Sequence, residues 1–424
     1  MKLFDKSKIE KEIRELPSGI LTILLDAAVS ININSIAIVG GIVRDILTKS
    51  KNKDYEIIFN DLDLIIEGET TPYIKELQKI LGPEEIKVIR NNKIYKTSEI
   101  IINGIKIDIA SARKETYPIA GENPIVKSST IKNDLIRRDF NINAMAIDLK
   151  NNRLIDLFSG LDAIEKMKID FLHESSVLED PTRIIRASRY SAKLDFHLSS
   201  QALKQIEDTI NNWPWHWHIG DNNDLAPSAL SKRLKMELEL LLKSKYWKNG
   251  LKNLQDCGGL KIIDSQLQND QRLIEKIFIA ERSKIEPLTA LVYESQNPIY
   301  LAKRLHLNQQ QLEIIEGACK LNKYLEDIQA NHSYKAWSPS KWTNLLEEIN
   351  ADESSYILEI CRESPLKEYL KSWLYNWKNI ESPIKGDELI AKGWEPGPEI
   401  GIEIKRQRMK LIDKKIFDDS FNKY

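Results

Sequence analysis

The run EIIINGIKIDIA, Glu99 to Ala110, reads as two strands and the turn between them. Asn103-Gly104 suits a type I′ turn, whose twist matches that of a hairpin. On the returning arm Ile105, Ile107 and Ile109 alternate with Lys106 and Asp108. Period-2 geometry therefore buries the isoleucines and leaves Asp108 on the other face. Such a hairpin needs neighbours. SIAIVGG from Ser35, YEIIF from Tyr55, DLDLIIEG from Asp61 and NAMAIDL from Asn143 are strand-like and rich in Ile and Val, while YIKELQKIL from Tyr73 is helical. The region from about residue 35 to 150 is expected to be a mixed α/β domain.

Past residue 160 the periodicity turns helical and stays so, in AIEKMKIDFL from Ala163, PTRIIRASRYSAKL from Pro181, ALSKRLKMELELLLKSKYW from Ala229, QLEIIEGACKLNKYLEDI from Gln311 and SYILEICRES from Ser355. Breaks fall at Trp213-Pro214 to Pro227 and at Ser338-Pro339, and a Gly/Pro-rich segment, KGWEPGPEIG, begins at Lys392. The expected fold class is α+β, with a mixed-sheet head over 1–150, a helical neck over 151–245 and a helical body and tail over 246–424.

The 424 residues, 42% hydrophobic and 29% charged, suit a soluble protein of two to four domains at roughly 150 residues each. Lys and Arg (62) nearly cancel Asp and Glu (63), so a basic surface must come from local clustering. Cys257, Cys319 and Cys361 are scattered, which argues against a zinc site or disulfide framework and fits a reducing cytoplasm. MKLFDKSKIEKEIREL carries no apolar h-region and no run of about 18 apolar residues occurs, so neither secretion nor membrane insertion is expected.

Asp61 and Asp63 lie two apart in a strand-like run, so both project from one face while Leu62 and Leu64 point inward. Two carboxylates on one face make a hard-cation site, and Mg²⁺ takes one or two carboxylates plus substrate phosphates. Taken alone, the pair also fits two solvated residues at the edge of a loop. Upstream, IAIVGGIVRD carries Gly40-Gly41 into a helix start with Arg44. Two glycines let amides approach a phosphate, and a helix N-terminus and a guanidinium both favour its charge. The segment is neither a Walker A loop nor a dinucleotide fingerprint.

These residues, with RRDFNINAMA (Arg137–Ala146) and EDPTRIIRASRYSAKLDF (Glu179–Phe196), resemble the class II tRNA nucleotidyltransferase and poly(A) polymerase family. Five segments fall in the family's order: GGIVRD, the Asp-x-Asp strand, RRDF, the connector LIDLFSGLDAI and the Asp/Arg helix. LSKRLKMELELLL resembles the following neck motif through Arg233 and Glu237, and KGWEPGPEIG resembles a tail segment of tRNA-specific members. The detailed match runs over about residues 36 to 245.

The resemblance implies an enzyme that adds C and A from CTP and ATP to the 3′ end of tRNA without a nucleic-acid template, with Mg²⁺ as cofactor and tRNA held by the helical body. It implies Asp61 and Asp63 as metal ligands and Asp108 as a third catalytic carboxylate. Nucleotide contacts fall to Gly40, Gly41, Arg44, Arg138 and Asp139, and to Asp180, Arg183, Arg186 and Arg189 of the Asp/Arg helix. Base choice has a chemical logic as well. Cytosine and adenine both present an amino donor beside a ring-nitrogen acceptor, which Asp180 and Arg183 can satisfy, whereas uracil and guanine present the reverse. CC-only, A-only and poly(A) addition remain open, as does a silent tRNA-binding module. No membrane or protein partner is implied, and no histidine pattern marks a phosphohydrolase domain.

Three features depart from the family pattern: the long link TKSKNKDYEIIFN, Asn141 in place of Thr, and the segment between Asp108 and Arg137, which does not align. WPWHWH (Trp213–His218) and Trp337, Trp342, Trp373, Trp377 and Trp394 read as packing residues before stacking platforms. KRQRMK from Lys405 reads as a solvated helix end or a phosphate grip.

Overall fold

A computed structural model describes residues 6–421 except 14, 34, 52–53, 58, 93–95, 332 and 349–365. It forms two compact units that part between Ile262 and Ile263. The helix expected in SYILEICRES, and Cys361 within it, lie outside the described residues.

The first unit is built on a seven-stranded sheet. Its strands are β1 (Ile36–Val39), β2 (Leu62–Ile66), β3 (Ile86–Asn92), β4 (Thr97–Ile102), β5 (Ile105–Ser111), β8 (Met145–Asp148) and β9 (Arg153–Asp156), and β6 (Arg113–Thr116) and β7 (Ile125–Ser128) form a separate hairpin. The order is β3-β4-β5-β2-β1-β8-β9, with β2 and β5 parallel and the other pairings antiparallel. Asn103 and Gly104, with φ of 50° and 79°, make the tight β4–β5 turn that their side chains predict.

Leu62, Leu64, Ile66, Ile107 and Ile109, all at most 1% exposed, point into the main core with Leu21, Leu24 and Leu77 of the covering helices Ile20–Ser30 and Thr70–Leu81. The opposite face carries a smaller apolar cluster, among it Val39, Ile65, Ile131 and Leu135. A one-residue slip of β2 would move Leu62, Leu64 and Ile66 out of the main core and Asp63 into it, so burial locks the register.

Two expectations are corrected. Among the described residues of Tyr55–Phe59, which exclude 58, there is no strand: both edges of β2 are already paired, by β1 and β5, and Ile57 and Phe59 instead pack irregularly against the core. AIEKMKIDFL is not one helix, because helix Gly160–Glu165 stops before Met167 (φ 51°) and Lys168–Ile169 pairs with His197–Leu198.

The neck helix Thr182–Leu194 packs between helices Lys232–Leu242 and Trp247–Asp256. Trp215 and Trp217 are buried, and the indole N–H groups of Trp213, Trp215 and Trp217 donate to the carbonyls of Trp217, Leu178 and Asn222, so WPWHWH is a packing element. The second unit is helical. Its longest inner helix, Gln309–Ala330, starts in an Asn308/Gln311 capping box. Trp342, Trp373 and Trp377 are buried there, whereas Trp394 is 38% exposed, contrary to its expected packing role, because it lies just past the turn that follows the short helix Gly386–Ala391. KRQRMK lies on helix Pro398–Phe421, where Arg406 pairs with Glu403 and Arg408 with Glu347. Among the described residues no helix is long and apolar enough to cross a membrane.

Candidate active site

Pairing places a row of charged side chains across the smaller face of the sheet. Asp63 of β2 stands opposite Asp108 of β5, Asp108 opposite Glu99 of β4, and Glu99 opposite Arg90 of β3. Asp61 precedes β2 by one residue and shares the parity of Asp63. Lys106, two residues before Asp108 on its strand, sits 3.4 Å from Glu99 and 3.5 Å from Asp108. Burial, with the nearby Asp61 charge, pushes the Asp63 carboxyl up to about 6. Burial also raises Asp108, partly offset by Lys106 and reinforced by Asp61.

Among the described residues no group of three or more His, Cys, Asp or Glu side chains closes into a metal cage. Two facing carboxylates, both raised chiefly by burial and further by the Asp61 charge, offer hard oxygens that suit a divalent cation whose remaining positions go to water and phosphate. The donor set fits such an ion.

Gly40 ends β1 and Gly41 opens helix Gly41–Lys51. Gly40 has φ 79°, and a Cβ there would lie 2.5 Å from Oδ2 of Asp63. Only glycine permits both the backbone turn and the close approach of the carboxylate.

Beside this turn a cavity of about 340 Å³ is walled by Gly40, Gly41 and Asp63 together with Arg138, Asp139, Asp180, Arg183 and Arg186. Eight of the expected residues thus converge although they span almost 150 positions of chain. An adjoining cavity of about 460 Å³ shares Asp63, Arg137 and Arg138 with it and is lined also by Asp108, Glu99 and Arg90. Asp63 lines both cavities together with the two arginines.

Arg44 and Arg189 line neither cavity. Arg44 is 2% exposed, held by Asp45 at 2.9 Å and Asn143 at 2.8 Å. Arg189 pairs with Glu237 at 3.1 Å, its guanidinium 4.9 Å from the Tyr190 ring centre. Arg186 donates through Nε and Nη2 to Asp139 and through Nη1 to Glu237. Burial opposes charge on Asp139, but the Arg186 guanidinium outweighs it and holds the carboxyl below its usual range. Arg183 is pinned by the carbonyls of Ser176 and Arg137, at 3.2 and 3.3 Å. Oδ1 of Asp180 accepts from the amide and hydroxyl of Thr182.

Among the residues of the two cavities that were not anticipated are Glu99, Tyr117 and Arg137. Glu99 could have been found by counting back from the two-residue turn, which sets it opposite Asp108. Tyr117, in the segment that does not align, lines the smaller cavity, lies 6.0 Å from Arg183 and is pushed up to about 12, chiefly by burial and Glu115. Arg137 pairs with Glu115 and Asp134. No local spacing announces either of these two.

Residues 36–170 match the family model described as the poly A polymerase head domain. An A-adding tRNA nucleotidyltransferase of Aquifex aeolicus (strain VF5) is 28% identical over 393 residues, 89% of this chain but 45% of that protein. A CCA-adding enzyme of Pediococcus pentosaceus (strain ATCC 25745 / CCUG 21536 / LMG 10740 / 183-1w) is 26% identical over 402 residues, 90% of each. The chain spans about half the length of the A-adding relative. A solved CCA-adding enzyme, apo form II, shares the fold with a TM-score of 0.73 over 100% of both chains at 24% identity. With its Asp-x-Asp strand set beside a Gly-Gly turn, the first unit is similar over residues 36–170 to the poly A polymerase head domain.

Proposed function

We propose that this protein adds C and A nucleotides from CTP and ATP to the 3′ end of tRNA in the cytoplasm, releasing pyrophosphate. The observation that carries the reading is the double role of Asp63, which stands opposite Asp108 and also walls the cavity containing Asp180 and Arg183. A base read by the neck would thereby have its phosphates beside the carboxylates. Asp180 accepts from an exocyclic amino group and Arg183 donates to the adjacent ring nitrogen, which selects C and A over U and G. The amides at Gly40-Gly41 and the Arg138 guanidinium receive phosphate oxygens. The primer's 3′ oxygen bonds to the α-phosphorus as the bond to the β-bridging oxygen breaks, and its proton passes to a carboxylate of the sheet face.

Asp61 and Asp63 would hold Mg²⁺, which supplies charge neutralisation at the attacking and leaving oxygens. Every other contribution named here is positioning, as phosphoryl transfer requires.

A narrower reading, A addition alone, is favoured by the A-adding names of the relatives from Aquifex aeolicus and Geobacter sulfurreducens, which match 89% and 85% of this chain. Purified protein incubated with Mg²⁺, single labelled nucleotides and tRNAs ending before CCA, after C or after CC separates the two. Addition of C to the shorter primers and of A to the last supports CCA synthesis, and A on the last primer alone supports the narrower reading. No incorporation on any primer overturns both.

A further inference from the structure

Glu99, Lys106 and Asp108 form a triad on the sheet face beside Asp63. Lys106 is two residues before Asp108 on β5, so the two side chains leave the strand on the same side. The ladder sets Lys106 opposite Ile101 and Asp108 opposite Glu99, which makes Glu99 a diagonal neighbour of Lys106, within reach of a long side chain. The ammonium stands between the two carboxylates, 3.4 Å from Glu99 and 3.5 Å from Asp108. Its charge also reaches Asp63, where it opposes the upward push of burial. Among the described residues Glu99 makes no other ion pair, although Arg90 lies across from it on β3.

Stability does not account for this arrangement. The side chains of Glu99, Lys106 and Asp108 are 30%, 40% and 35% exposed, and solvent screening leaves ion pairs of that exposure little weight in folding. Glu99 also sets a like charge directly opposite Asp108, a cross-strand pairing that is itself unfavourable. What the triad does set is how firmly Lys106 holds Asp108. An ammonium is a compact point charge on a flexible stem, so it moves between acceptors with little geometric penalty. With one acceptor it would lock Asp108, and with two at equal distance it is shared.

Resting on the metal-dependent transfer proposed above, we propose that Glu99 is a positioning residue that draws Lys106 off Asp108 and so keeps this carboxylate available to a divalent cation on Asp61 and Asp63. Lys106 competes with that cation for Asp108, and Glu99 is the alternative partner that weakens the competition. Glu99 acts through Lys106 and is not itself a ligand of the ion.

The test measures Mn²⁺ binding to the full chain, without nucleotide or tRNA, from the loss of the free-ion electron paramagnetic resonance signal. Glu99→Gln, Lys106→Met and the double variant are compared with the unsubstituted protein, with thermal melting as the control for folding. Glu99→Gln is expected to weaken Mn²⁺ binding by about three- to tenfold, and Lys106→Met to strengthen it by about threefold. In the Lys106→Met background Glu99→Gln should shift the affinity by less than about twofold, because a charge acting directly on the ion would weaken binding equally in both backgrounds, whereas one acting through Lys106 has lost its means. Equal weakening in both backgrounds, or no weakening by Glu99→Gln alone, overturns the proposal. If Glu99→Gln does not fold, Glu99→Asp, which withdraws the carboxylate by one methylene, should weaken binding in the same direction, and unchanged affinity there overturns it equally. An unsubstituted chain that binds no Mn²⁺ would instead refute the metal site, and with it both proposals.

Discussion

Asp63 and Asp108 stand directly opposite each other on the parallel pair β2 and β5, at the place where a nucleotide-sized cavity meets its neighbour. Strand spacing keeps two like charges close at a half-buried surface, a destabilising contact that a cation relieves. The proposed chemistry depends on that relief.

Asp61→Asn and Asp63→Asn are expected to lower nucleotide incorporation by at least about a hundredfold, because several kcal/mol of charge stabilisation at the transferring phosphate are lost. Binding of tRNA should survive in both, as measured by filter retention. Near-normal turnover in either variant would refute the metal assignment.

The raised Asp63 carboxyl sets a pH dependence of stability. Its folded value, about 6, exceeds the ordinary aspartate value of 3.8, so between these the folded state binds more protons and the metal-free protein loses stability as pH rises. The penalty is then constant above the window. Asp63→Asn should therefore melt higher than the unsubstituted protein at about pH 7.5 without divalent ions, with the gap closing below about pH 4. Equal melting temperatures across this range would contradict the burial and repulsion assigned to Asp63.

Gly40→Ala tests the close approach of the turn to the carboxylate. Its Cβ would fall 2.5 Å from Oδ2 of Asp63 on a backbone at φ 79°. Displacing that oxygen by about an ångström should cost on the order of a hundredfold in turnover. Steady-state kinetics should show the loss in kcat, and Mn²⁺ titration should show weakened ion binding; a variant with unchanged ion affinity would argue against the contact.

Asp139, Arg186, Glu237 and Arg189 form one network that ties head to neck, with the carboxylate side chains 9% and 11% exposed. Glu237→Gln leaves two guanidinium groups short of a counter-charge, which should destabilise the protein by roughly 2–3 kcal/mol, less than for a fully buried pair because Arg186 is one-third exposed. Urea unfolding measures the loss. The Asp139 contribution is present above its unfolded pKa and disappears as pH falls through the depressed folded value, so acid should erase it.

Much of the site was legible because its signals are local. Alternation in EIIINGIKIDIA placed Asp108 away from the core, and the two-residue turn already implied Glu99 as its partner. The strand expected at Tyr55–Phe59 failed for a reason no local pattern contains, since both edges of β2 are taken by β1 and β5. The resemblance implies nucleotide contacts for Arg186 and Arg189, yet their carboxylate partners lie 47 and 48 residues away in the chain. Nothing in a helical repeat records such a distance.

The sequence by itself determined which strand faces the candidate residues occupy, because side-chain parity and turn type follow from residue identity within a few positions. Only the tertiary structure decided how those faces combine. Asp63 meets Asp108 because β2 pairs with β5 after a crossover that includes a helix and two strands, Arg44 and Arg189 line neither cavity because carboxylates, an amide and an aromatic ring hold them elsewhere, and Arg233 reaches Asp180 because Gly121 brings two distant segments within one residue of contact. These are long-range pairings, set by burial and charge across the whole unit, and they determine what each side chain has left to offer a substrate.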